Sequence, residues 1–136
     1  MRPFLAENRT AFGRVAGEDG HVPRTVLIVD DHAGFRRRAR RALEADGYEV
    51  VGEASNGAAG IEAAAQLEPD VVLLDVHLPD ASGFDIVSRI LAPAVVLIST
   101  HDRHDYAELI TRSGARGFLA KDQLCGATLE ALVAEA

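Results

Sequence analysis

From Thr25 onward, short unbroken apolar runs alternate with stretches in which apolar residues recur every three or four positions. Val26-Leu27-Ile28-Val29, Val71-Val72-Leu73-Leu74 and Ala94-Val95-Val96-Leu97-Ile98 contain no polar position. That is the habit of strands buried on both faces of a parallel sheet. Strands are predicted over Thr25 to Asp30, Asp70 to Asp75 and Ala94 to Ser99. Tyr48 to Ala54 is less continuously apolar and reads as an edge strand, and Gly117 to Ala120 as a short fifth one. The intervening stretches predict helices. The first carries Phe35, Ala39, Ala42 and Leu43 and ends at Asp46-Gly47; the second opens at Asn56-Gly57 and runs to Leu67. In the third, Ser82 with Asp85 reads as a capping box, and Ile86, Val87, Ile90 and Leu91 form the inner face. The fourth starts near Asp102, shows Tyr106, Leu109, Ile110 and Ser113 on one face and stops at Gly114. The fifth carries Leu129, Leu132 and Val133.

Five strands alternating with five helices predict an α/β fold, a three-layer (βα)5 sandwich around a five-stranded parallel sheet. Right-handed crossovers favour the flavodoxin-like strand order 2-1-3-4-5. Residues 1-24 show no sustained period and include Gly13, Gly17, Gly20 and Pro23. They read as a poorly ordered extension with a short helical piece around Phe4 to Val15, leaving 25-136 as the domain.

The predicted strand order changes the meaning of the strand ends. Strands one and three become neighbours, with the switch point between them, where α/β sheets bind ligands. Asp30, Asp31 and Asp75 therefore meet in one crevice. Three close carboxylates repel one another, and a hard divalent cation offsets that cost; Mg²⁺ prefers one or two carboxylates, a carbonyl and retained waters. The next strand ends bring a hydroxyl, Ser99, and an ammonium, Lys121, to the same rim. Each residue alone has an ordinary reading as a strand-end polar group or a turn former. All five together make a phosphoryl-transfer site, with Asp75 as nucleophile and the metal and Lys121 neutralising the phosphoryl oxygens.

Composition narrows the setting. A chain of 136 residues has room for one domain, and 48% apolar residues supply an aliphatic core. The single Cys125 excludes an internal disulfide and suits a reducing compartment. No apolar run reaches the roughly 18 residues of a membrane span, and the first residues lack a secretory core, so a cytoplasmic protein without membrane attachment is expected. A net charge of −7 argues against direct nucleic-acid binding. Arg36, Arg37, Arg38, Arg40 and Arg41 form a basic cluster on the first helix that reads as its solvated face, compatible with protein docking.

From Thr25 to about Ala134 the chain resembles the receiver domain of two-component response regulators. The resemblance rests on Asp30-Asp31, on Asp75-x-x-Leu78-Pro79 followed by Ser82-Gly83, on Ser99 and on Lys121. The intervals agree too, 44 residues from Asp31 to Asp75 and 22 from Ser99 to Lys121. It implies a phosphoacceptor module of a phosphorelay, in which Asp75 takes a phosphoryl group from a histidine kinase or histidine phosphotransfer protein. It further implies Mg²⁺ on Asp31, Asp75 and the backbone carbonyl of His77, with Asp30 assisting through water. Ser99 would swing toward the phosphoryl oxygens and Phe118, the switch aromatic, would turn inward. A downstream protein, or a second copy in a phosphorylation-dependent dimer, would read the face made by helix four, strand five and helix five. The arginine-bearing first helix matches the region that kinases contact. No enzyme activity is implied beyond self-catalysed phosphoryl transfer and slow autodephosphorylation.

Several features depart from that pattern. Only 24 residues separate Asp75 from Ser99, so helix three or its exit is shortened. Asp122 follows Lys121 in place of the usual proline, which removes the family's cis peptide. Thr100 is bulkier than the usual residue after Ser99; with His77 and His101 it would flank the path of the attacking water and shield the phosphoryl group. The chain stops soon after helix five, which implies a stand-alone receiver. The alternative is a receiver fragment of a DNA-binding regulator, because Asp30-Asp31-His32 and Lys121-Asp122 look like receivers that carry a helix-turn-helix domain. Two other classes stay in view. An aspartyl-phosphate phosphatase would want an acid two residues after its nucleophile, where His77 stands, and a flavin binder would want hydroxyls where Asp31-His32-Ala33-Gly34 follows strand one.

Overall fold

The structure is a computed structural model that describes residues 22–101 and 103–134. The helical piece expected between Phe4 and Val15 lies outside the described residues. Strands β1 (Thr25–Val29), β2 (Glu49–Ala54), β3 (Val71–Asp75), β4 (Ala94–Ser99) and β5 (Gly117–Ala120) alternate with helices α1 (Ala33–Ala45), α2 (Gly57–Leu67), α3 (Gly83–Ile86), α4 (Ala107–Ser113) and α5 (Gly126–Val133). All strand pairs are parallel and the sheet order is β2-β1-β3-β4-β5, as the apolar pattern predicts. Thus β2 is an edge strand.

The pleat sends alternate residues of each strand to opposite faces. Val26, Ile28, Leu73, Val96, Ile98 and Leu119 pack on one face against Phe35, Ala39 and Leu43 of α1 and Leu129 and Val133 of α5. Leu27, Val29, Val72, Leu74, Leu97 and Phe118 pack on the other against Ala64 of α2, the α3 segment and Ile110 of α4. Nearly every one of these strand residues is completely buried, worth about 1.5–3 kcal/mol per large aliphatic side chain. Gly60 lets α2 lie directly on β1, since a Cβ there would stand 2.8 Å from a Val29 methyl.

Local signals act at their own positions in the chain. Asn56 caps α2 by accepting from the Ala59 amide at 2.8 Å, and Gly114 ends α4 in the left-handed region with φ +85°. Among the described residues every peptide bond is trans, in keeping with Asp122 after Lys121.

Three expectations need correction. Ser82 stands at the α3 N-cap, but its side chain makes no capping bond, so the capping box is not formed. The α-helical part of the third helix is four residues long and tightens into a 3₁₀ turn over Val87–Arg89; Ile90 is already extended. Helical periodicity therefore ends before Leu91, which is 66% exposed, while Ile86, Val87 and Ile90 are buried. In the fourth helix Ile110 is buried but Leu109 is exposed, because adjacent helical positions point about 100° apart and Ile110 takes the inward one. That helix begins as a 3₁₀ turn, Arg103–Tyr106.

The arginine face is not uniformly solvated. Arg36 and Arg40 both bind Glu53 of β2, at 2.8 and 2.9 Å, and hold it well ionised below the ordinary carboxylate range against the opposing effect of burial. Arg37, Arg38 and Arg41 are exposed. No described helix is long and apolar enough to cross a membrane.

Candidate functional site

Among the described residues four polar side chains are buried at strand termini, and three of them, Asp30, Asp75 and Ser99, lie at the C-terminal ends of strands. Asp30 follows β1 and is fully buried. Its Oδ2 faces the Lys121 ammonium at 2.6 Å, and its Oδ1 accepts from the His32 amide at 2.8 Å. Asp75 ends β3, with Oδ2 3.6 Å from the same ammonium and Oδ1 3.4 Å from the His77 amide. Lys121 follows β5, and its ammonium stands 4.7 Å over the Phe35 ring, a cation–π contact that helps hold it inward. Ser99 ends β4, and its Oγ accepts from the His101 amide at 3.0 Å.

The segment after Asp75 is folded back as a tight hairpin. Gly83 N–H donates to Val76 O at 2.7 Å, Leu78 N–H to Ala81 O at 3.1 Å, and His77 bridges Ser82. A side chain at Gly83 would run into the Asp75 carbonyl oxygen, so the glycine is what lets the loop close over the strand end. Asp80, at the tip, accepts from the amides of Gly57 and Ala58 at 2.7 and 3.0 Å and so ties the loop to the α2 N-terminus.

Burial raises the Asp75 carboxyl above its ordinary range, and the Asp30 charge adds to this; Lys121 and the His77 amide pull the other way, and Asp31 raises it further. The carboxylates therefore crowd one another with a single ammonium between two of them. Ligand atoms of Asp30, Asp31, His32 and Asp75 all lie within 4.8 Å of one another. Three carboxylates in that space form a hard oxygen donor set that fits Mg²⁺. Asp31 faces solvent and Asp30 is enclosed.

His32 belongs to this group, although in the sequence it enters only as part of the Asp30-Asp31-His32 motif and not as a site residue. Its Nδ1 lies 3.0 Å from Asp30 Oδ1 and 3.1 Å from Asp31 Oδ1. Its adjacency to the acidic pair was the available signal. His77 and His101 are exposed neighbours with ring centroids 6.0 Å apart, and His77 Nε2 lies 3.0 Å from the Tyr106 hydroxyl. Phe118 is 5% exposed and packs 6.1 Å from the Tyr106 ring, so it is inward in this structure. A groove of about 520 Å³ opens beside Lys121 between α1 and the strand ends, lined by Phe35, Arg38, Ala39, Ala42 and Thr100 among others.

The geometry has parallels among known proteins. The model of the response regulator receiver domain matches residues 26–133. The chain belongs to the response regulator receiver domain family. It is 39% identical over 113 residues to the transcriptional regulatory protein PdtaR of Mycobacterium tuberculosis, covering 80% of this chain and 55% of that protein. The signal receiver domain assigned to a NarL response regulator of Mycobacterium tuberculosis is 36% identical with a TM-score of 0.71, over 81% of this chain and 96% of that one. A Burkholderia pseudomallei response regulator, solved with a phosphorylated aspartic acid, a calcium ion and citrate, is 26% identical with a TM-score of 0.71, over 80% of this chain and 66% of that one. This receiver chain spans about half the length of the curated relatives it matches.

Proposed function

We propose that this receiver domain is the phosphoacceptor of a two-component phosphorelay and that Asp75 is the acceptor. The observation that carries the reading is the setting of Asp75, a buried carboxylate at a strand end with an ammonium at 3.6 Å and an acidic pair beside it. In the transfer, a carboxylate oxygen of Asp75 attacks the phosphorus of a phosphohistidine, the P–N bond breaks, and the imidazole leaves with the bond's electron pair and takes up a proton. Asp31, Asp75 and the His77 carbonyl would hold Mg²⁺, with Asp30 assisting through water; the ion supplies neutralisation of the phosphoryl oxygens. Lys121, between Asp30 and Asp75, would bind an oxygen of the incoming group, and Ser99 would donate its hydroxyl once it turns from His101. Phe118 belongs to the switch, and the face of α4, β5 and α5 carries the output to a downstream protein. The donor, a histidine kinase or phosphotransfer protein, docks on α1. The solved relative with a phosphorylated aspartic acid supports the same chemistry on this fold.

A second reading is the receiver part of a longer DNA-binding regulator; what supports the longer protein is that the match covers 55% of a relative named as a transcriptional regulatory protein, PdtaR. In both readings the domain acts in the cytoplasm. Incubation with acetyl phosphate or phosphoramidate and Mg²⁺, followed by intact mass, should show one added phosphoryl group. Asp75→Asn keeps the shape without the nucleophile and should abolish it. Labelling that survives this variant would place the acceptor elsewhere.

A further inference from the structure

Tyr106 stands where no motif points. It closes the 3₁₀ turn Arg103–Tyr106 and leads into α4. Its hydroxyl lies 3.0 Å from His77 Nε2. Its ring centroid is 5.2 Å from Phe84, 6.0 Å from His101 and 6.1 Å from Phe118, in the tilted or edge-on arrangements that aromatic pairs favour. His77 is two residues beyond Asp75, His101 two beyond Ser99, and Phe118 three before Lys121. One side chain at the head of α4 thus touches a near neighbour of each of three strand-end residues. Two of those neighbours also reach back into the site through their amides, His77 toward Asp75 Oδ1 at 3.4 Å and His101 to Ser99 Oγ at 3.0 Å.

We infer that Tyr106 is a positioning residue that carries the state of Asp75 to α4 through its hydrogen bond with His77. The inference rests on Asp75 being the phosphoacceptor. A phosphoryl group adds a charge of about −2 and three strong acceptor oxygens. It arrives beside two amides that now face weaker acceptors, and a shift of either backbone moves a side chain that contacts Tyr106. The hydroxyl gives the contact direction: the His77–Tyr106 bond is made or lost, whereas apolar rings slide. Phe118 has no such handle and is already packed inward. The coupling is reciprocal, so a partner that grips the turn at Arg103–Tyr106 acts back on the loop of His77.

The full chain, isotope-labelled, with Mg²⁺ and beryllofluoride as the phosphoryl mimic, tests this by NMR. Tyr106→Phe keeps the ring and deletes the hydroxyl. It should leave acetyl phosphate labelling of Asp75 intact, which also shows that the variant folds, and should at least halve the beryllofluoride-induced amide shifts across α4. His77→Leu should reduce them equally, and the double variant should lose no more than either single one. Undiminished α4 shifts in Tyr106→Phe, or additive losses in the double variant, would overturn the inference. So would a response that Phe118→Ala abolishes and Tyr106→Phe leaves whole. Failure of the unmodified chain to take up a phosphoryl group would instead overturn the phosphoacceptor reading beneath it.

Discussion

Asp30 and Asp31 are adjacent in the chain and differ in almost everything else. Asp30 is enclosed and has the Lys121 ammonium at 2.6 Å, whereas Asp31 is open to solvent beside His32. A metal ion entering from solvent meets Asp31 first, while Asp30 is already committed to a cation. Asp31→Asn should therefore weaken Mg²⁺ binding more than Asp30→Asn, whose loss as a supporting partner is on the scale of about 10–100-fold. Calorimetric titration checks the order, and the reverse ranking would reassign the direct bond. Thr100 and His101 invite a second prediction. As screens of the phosphoryl group they slow its loss, so Thr100→Ala and His101→Ala should each speed it, measured as the decay of the phosphorylated intact mass. A slower loss in His101→Ala would make the histidine a participant.

At the scale of elements, the loop between β3 and α3 is held from both sides. Gly83 lets it close on the Asp75 carbonyl, and Asp80 clips it to the first two amides of α2. Those two hydrogen bonds keep the Asp80 carboxyl below the ordinary carboxylate range. A group with a depressed folded pKa contributes stability that is present above its unfolded pKa and is lost as pH falls through the folded one. Asp80→Ala should thus melt a few degrees below the parent at neutral pH, and the gap should narrow as the pH is lowered into the carboxylate range. A gap that stays constant down to acid would rule out the charged cap. Gly83→Ala forces the loop away from the strand end and should cost about 1–3 kcal/mol in denaturant unfolding, the scale of overpacking.

For the molecule as a whole, the charge distribution counts for more than the net value of −7. Glu53 binds Arg36 and Arg40, while Arg37, Arg38 and Arg41 remain exposed on α1, and Arg38 lines the groove that reaches Lys121. A basic face on an acidic protein steers an acidic partner and aligns it with the site. Arg37→Glu should slow phosphotransfer from a histidine kinase that serves this chain and flatten its salt dependence, while labelling by acetyl phosphate stays unchanged. Equal loss with both donors would show that the residue acts on the site and not on docking.

The apolar pattern and the right-handed crossover rule together determined the five strands, their parallel order and the edge position of β2: β1, β3 and β4, buried on both faces, have no polar position between their ends, whereas β2 carries Glu49 and Glu53. With the strand order came the meeting of Asp30, Asp75, Ser99 and Lys121 at one end of the sheet. Local caps were equally legible at Asn56 and Gly114, where a side chain or a backbone angle settles the matter within a few residues. Tertiary structure decided the rest. The 24-residue interval from Asp75 to Ser99 already told of a shortened third helix, but the fold turned Leu91 outward, since where a helix tightens depends on what it packs against. It gave Glu53 to Arg36 and Arg40 across two elements. It joined Asp80 to α2, His32 to the acidic pair and Tyr106 to His77. Each of these is a contact by one side chain without a periodic pattern, and two of them, at Asp80 and Tyr106, span more than twenty residues of chain. Periodicity can report which way a residue faces, but only the folded chain determines what it meets there.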